Sequence, residues 1–131
     1  MSAIKILLVE DEKDIQFIIE LSLGRSGEFE ITTFDSGFDA LDFLSDTQAG
    51  FDLALVNFRL PGMHGLEFIA RMQAIPAFAN LRAIIVSAAL LDREMTAYRN
   101  SGVLGVISKP FEVAHLAQQV LALYRSEDGC R

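Results

Sequence analysis

Five polar residues stand at or just beyond the ends of short apolar runs: Glu10 and Asp11 after Ile4–Val9, Asn57 after Leu53–Val56, Ser87 after Ala83–Val86, and Lys109 beyond Leu104–Ile107. Two carboxylates beside an amide oxygen make a hard-oxygen site of the kind Mg²⁺ accepts while it keeps most of its waters. A hydroxyl and an ammonium opposite them can hold the oxygens of a phosphoryl group. Singly, each has a plainer explanation: Asp11 as a helix N-cap, Ser87 as a strand-end hydroxyl bonded to backbone, Lys109 as a solvated surface lysine. Their joint placement at one rim is what makes a site.

The elements that must position them follow from the pattern of apolar residues. Ile4–Val9, Leu53–Val56 and Ala83–Val86 are short, non-alternating and rich in Val, Ile and Leu, as in strands covered on both faces of a parallel sheet. Phe29–Phe34 alternates like an edge strand, and Leu104–Ile107 is a brief fifth candidate. Between them lie helical patterns: Ile15, Ile18 and Ile19; Ala40, Leu41 and Leu44 behind the N-cap candidate Ser36; Leu66, Ile69 and Ala70; Leu91–Ser101, the weakest; and Val113, Leu116, Ala117, Val120, Leu121 and Tyr124, the cleanest. Strand and helix alternate five times, and right-handed crossovers then share the helices between both faces of one sheet. The expected fold is a doubly wound α/β sandwich, whose ligands sit at the carboxyl ends of the strands.

Composition narrows the function. A length of 131 residues suits one domain, with a core expected over about 4–124 and a tail over 125–131. The single cysteine, Cys130, excludes an internal disulfide framework and a multi-cysteine zinc site. The acidic triplet Glu10–Glu12 stops the first apolar run, so no signal peptide is expected, and no run of eighteen apolar residues calls for a bilayer; a cytoplasmic location is expected. A net charge of −7 opposes direct binding to nucleic acid.

The segments Ile6–Glu12 (ILLVEDE), Asn57–Gly65 (NFRLPGMHG), Ser87-Ala88 and Ser108–Phe111 (SKPF) together resemble the signature of response-regulator receiver domains of two-component phosphorelay systems, over about Ile4 to Tyr124. The resemblance implies a flavodoxin-like five-stranded parallel sheet of order 2-1-3-4-5 with five helices. It implies Glu10 and Asp11 as the acidic metal pair, the Asn57 position and the Arg59 carbonyl as further metal ligands, and Ser87 and Lys109 as phosphoryl contacts. Pro61, Gly62 and Gly65 match the loop after the third strand, and the Lys109–Pro110 peptide is expected to be cis, as it is in the family.

Two positions depart from the family. Receivers accept phosphate on an aspartate where this chain has Asn57, and an amide, whose electrons are delocalised, is no nucleophile. The loss of one negative charge is expected to weaken Mg²⁺ binding and to leave Lys109 free to pair with Asp11. Three residues before Lys109, Val106 occupies the switch position where the family usually has an aromatic that swings inward; Val is small and stiff. The expected function is a non-enzymatic signalling module that binds a histidine kinase or downstream protein without phosphorylation, through the face of the fourth helix, fifth strand and fifth helix, with homodimerisation there as a further expectation.

The rival readings are a conventional phosphoaccepting receiver in which Asn57 is an introduced Asp→Asn change, and a flavodoxin-like cofactor binder. The second is disfavoured because Glu10, Asp11 and Glu12 would repel a phosphate after the first strand. A Mg²⁺-dependent phosphotransferase would need an aspartate nucleophile that the third strand does not end on. His64 and His115 are expected to face solvent, the ten phenylalanines to be core and helix-packing residues with Phe58 partly exposed, and Met63 and Arg59 to shape the rim.

Overall fold

In the computed structural model the structure describes residues 3–88, 103–109 and 111–129. The expected helix over Leu91–Ser101, the cis Lys109–Pro110 peptide and Cys130 lie outside the described residues. Five strands, β1 (Ile4–Val9), β2 (Phe29–Phe34), β3 (Leu53–Asn57), β6 (Ala83–Ser87) and β7 (Gly105–Ser108), form one sheet in the order β2-β1-β3-β6-β7, all parallel. Counting sheet strands alone, this is the 2-1-3-4-5 order of a flavodoxin-like fold. A small antiparallel pair, β4 (Arg59–Leu60) and β5 (Met63–His64), lies outside that sheet. Its connecting turn uses Pro61 to fix one φ and Gly62 at a φ of 71° for the next, the combination a type II turn requires. Strands two residues long carry no periodicity, and the sequence did not signal them.

The central strands β1, β3 and β6 are buried along their core-facing length, which explains their unbroken apolar runs. One face of the sheet packs Leu7, Val9, Val56 and Ile85 against helices α2 (Gly37–Asp46) and α3 (Gly65–Gln73). The other packs Ile6, Leu8, Leu55 and Ile84 against α1 (Lys13–Ser26) and the C-terminal helix (Val113–Gly129). That last helix buries Leu116 and Val120 on the apolar face the sequence marked, and it continues past Tyr124. Ser36 caps α2 as expected, its Oγ accepting from Asp39 N.

Several expectations need correcting. The inward face of α3 carries Phe68 and Met72 with Ile69, while Ala70 is exposed, because the row of residues three and four apart that is buried runs through Gly65, Phe68, Ile69 and Met72. Phe58 is completely buried rather than partly exposed, and Met63 belongs to the core rather than the rim. Conversely Phe17, Phe38 and Phe43 are 64%, 50% and 36% exposed, so the phenylalanines do not all fill the core.

Candidate functional site

The parallel sheet brings the carboxyl ends of β1, β3, β6 and β7 to one rim, and with them Glu10, Asp11, Asn57, Ser87 and Lys109. A cleft of about 290 Å³ there is lined by Asp11, Glu12, Asn57, Arg59, Ser87, Ala88 and Lys109, with Glu10 buried beneath. Asp52, at the start of β3, lies at the opposite rim, where its carboxylate accepts from Lys5 N.

Asn57 is held from both ends. Its Nδ2 donates to Asp11 Oδ1 at 3.0 Å, to the Arg59 carbonyl at 3.1 Å and to Glu10 Oε2 at 3.3 Å. Its Oδ1 accepts from Lys109 Nζ at 3.4 Å. The backbone around it is pinned: Phe58 N donates to Val86 O, Gly65 N donates to Phe58 O, and Gly65 lies so close that a Cβ there would sit 2.5 Å from the Asn57 carbonyl oxygen. Only glycine permits that approach. The Phe58 ring beneath is flanked by the His64 ring at 4.2 Å and the Arg59 guanidinium at 5.6 Å from its centroid.

Glu10 is the most confined charge. Oε2 accepts from Glu12 N at 3.1 Å as well as from Asn57; Oε1 lies 3.2 Å from Lys109 Nζ but accepts no well-aligned hydrogen bond among the described residues. Burial raises its carboxyl above the ordinary carboxylate range, against the downward pull of the Glu12 N–H and the Lys109 ammonium, while the Asp11 charge adds to the rise. Lys109 also stands 3.6 Å from the exposed Glu12 carboxylate. Its carboxylate partners are thus Glu10 and Glu12, not the expected Asp11: Asp11 accepts instead from the Asn57 amide.

Asp11 does not cap α1 either; Glu12 occupies that position and makes no side-chain cap. His64 is exposed, as expected, and its Nδ1 caps α3 by accepting from Leu66 N. Sequence reasoning missed Gln16, buried in α1, whose Nε2 donates to the Glu10 carbonyl and to Asp35 Oδ1 and so anchors the strand end. A polar residue inside the apolar stretch Ile15–Ile19 was the available signal.

The Glu10 and Asp11 carboxylates and the Arg59 carbonyl converge on one point, and all three are oxygen donors of the kind Mg²⁺ takes. That point is where the Asn57 NH₂ group donates. Among the described residues no group of three or more His, Cys, Asp or Glu forms a metal cluster. The oxygens fit a hard cation, and the amide must turn away for one to enter.

The sequence profile of the response regulator receiver domain matches residues 6–121. The chain is 29% identical over 119 residues to sporulation initiation phosphotransferase F of Bacillus subtilis, covering 88% of this chain and 90% of that one. It is 28% identical over 120 residues to the uncharacterized transcriptional regulatory protein YkoG of the same organism, covering 92% of this chain but only 50% of that protein. Among solved structures, the receiver domain of sensor histidine kinase PA1611 from Pseudomonas aeruginosa PAO1, with a magnesium ion coordinated in its active-site cleft, superposes with a TM-score of 0.77 at 25% identity, covering 94% of this chain and 98% of that one. The sheet order, the polar rim at the strand ends and these matches have one reading: the chain belongs to the response regulator receiver domain family of two-component signalling.

Proposed function

We propose that this receiver signals by binding a protein partner without being phosphorylated, because Asn57 stands in place of the acceptor aspartate. The observation that carries this reading is the pair of contacts at Asn57. Its amide NH₂ group shares two hydrogens among three oxygens that would otherwise face a cation, and its oxygen faces the ammonium that would otherwise face a phosphoryl group. A carboxylate could make none of the three donations. The rim is therefore largely satisfied from within in its resting form, Glu10 Oε1 alone facing the Lys109 ammonium at 3.2 Å without an aligned hydrogen bond among the described residues.

In this reading Glu10, Asp11, the Arg59 carbonyl and the Asn57 oxygen would hold Mg²⁺, with Ser87 and Lys109 as phosphoryl contacts. When bound, the cation would supply charge neutralisation at the rim. With one charge fewer and an amide to turn, its affinity is lower than in a receiver with aspartate. Val106, half-buried on β7 and packed against the core, has no ring to swing. The surface of β7 and the C-terminal helix, the described part of the expected fourth-helix, fifth-strand and fifth-helix face, is then a standing docking face for a kinase, a downstream protein or a second copy.

The test is to incubate the protein with acetyl phosphate and Mg²⁺ and look for a hydroxylamine-sensitive label. None is expected on the native chain, and label at Asn57 would end this reading.

A further inference from the structure

The net charge is not spread over the molecule. Of the eighteen acidic residues, seven fall between Ser26 and Phe58, a stretch with no Lys or Arg; the remaining eleven are matched by all eleven basic residues. The whole excess of −7 therefore belongs to β2, α2, β3 and their connections. Two of these acids have cationic partners, Asp35 with Lys13 at 2.8 Å and Glu28 with Arg125 at 3.6 Å. Asp39, Asp42 and Asp46 on α2 form no ion pair among the described residues.

The same helix leaves two large aromatic rings partly exposed, that of Phe43 resting on one side against the Phe34 and Phe51 rings. Phe38 and Phe43 are 50% and 36% exposed, while Ala40 and Leu44 hold α2 to the core. Spacings of three and four residues interleave them with Asp39, Asp42 and Asp46 on one surface. Phe38 also reaches the Pro61–Gly62 turn, where a Cβ on Gly62 would meet its ring at 3.1 Å. The face thus adjoins the loop that runs from Asn57 to Gly65.

We propose that the exposed face of α2 docks a basic amphipathic helical segment of a protein partner. Apolar anchors would pack on Phe38 and Phe43, and Lys or Arg side chains would meet the aspartates and lie over the ring faces. The charge selects this occupant. A second copy would set the same acidic face against itself, and nucleic acid or an anionic lipid surface would be repelled. The contact does not involve the Asn57 rim, so it holds whether position 57 carries Asn or Asp.

The probe is a synthetic Leu/Lys amphipathic helical peptide, with a Leu/Glu counterpart as control, titrated into the full chain and followed by amide NMR. Shifts are expected to concentrate on α2 and the Pro61–Gly62 turn, in the native chain and the Asn57→Asp variant alike. Phe38→Ala should weaken binding about tenfold. Asp42→Lys with Asp46→Lys should do the same; both side chains are exposed, and Lys in the last turn suits the helix dipole, so this second variant keeps its fold. Affinity in either variant unchanged from that of the native chain, shifts centred elsewhere, or equal binding of the Leu/Glu peptide would overturn the proposal. So would self-association of the chain that Phe38→Ala abolishes.

Discussion

The Asn57 amide nitrogen lies 3.0 Å from Asp11 Oδ1, a contact in which an uncharged donor occupies the position from which a cation would engage the carboxylate. Its remaining contacts, to Glu10 and the Arg59 carbonyl, repeat the pattern. Asn57→Asp would replace this donor with a third carboxylate beside two others. In chelator the variant should be less stable by about 1–3 kcal/mol, from lost hydrogen bonds and like-charge repulsion. Added Mg²⁺ should restore its thermal midpoint while moving that of the native chain little. Equal stability of the two proteins in chelator would count against the amide's role.

Lys109 and Glu10 form a confined pair, with side chains 12% and 1% exposed. Replacing Lys109 by Met leaves the Glu10 charge without its nearest counter-charge and should cost about 3 kcal/mol in chemical denaturation. Combining Lys109→Met with Glu10→Gln should recover much of that loss. Additive losses in the double variant would show that the two groups do not act as a pair.

The pH dependence follows from two carboxyls with opposite shifts. Glu10 is raised above its ordinary value of 4.5, chiefly by burial, so its contribution is fully present below that value and is lost as pH rises through the elevated one. Relative to Glu10→Gln, the native chain should therefore lose stability as pH climbs above 4.5. Asp35, lowered from 3.8 by its hydrogen bonds to Lys13 and Gln16, contributes above that value and loses its contribution as pH falls through the lowered one. Thermal midpoints of native, Glu10→Gln and Asp35→Asn proteins across this acid range check both signs.

Gly65 sets how closely α3 approaches the end of β3. Gly65→Ala would force a Cβ against the Asn57 carbonyl oxygen and the Phe58 backbone, and should cost about 2 kcal/mol. The Asn57 side-chain amide signals should shift in NMR. A variant with native stability and unshifted signals would show that the backbone gives way freely there.

Much of this was legible in the residues. The runs Ile4–Val9, Leu53–Val56 and Ala83–Val86 became the buried strands they suggested, because burial on both faces leaves a continuous apolar signal. The polar residues at their ends met at one rim because parallel strands all end on the same side. What was not legible depends on approach in three dimensions. Whether Lys109 meets Asp11 or Glu10 turns on where β7 delivers it, and the burial of Phe58 turns on the Gly65 contact; neither leaves a periodic trace. The exposed rings of Phe38 and Phe43 were misjudged because composition says nothing of which side of a helix meets the core.

The most direct measurement is calorimetric titration of beryllofluoride, an analogue of the phosphoryl group, in Mg²⁺ against the native chain and the Asn57→Asp variant. Binding is expected with the variant and absent with the native chain, since only a carboxylate can ligate the beryllium while Lys109 and Ser87 hold its fluorides. Tight, saturable binding to the native chain would contradict the account.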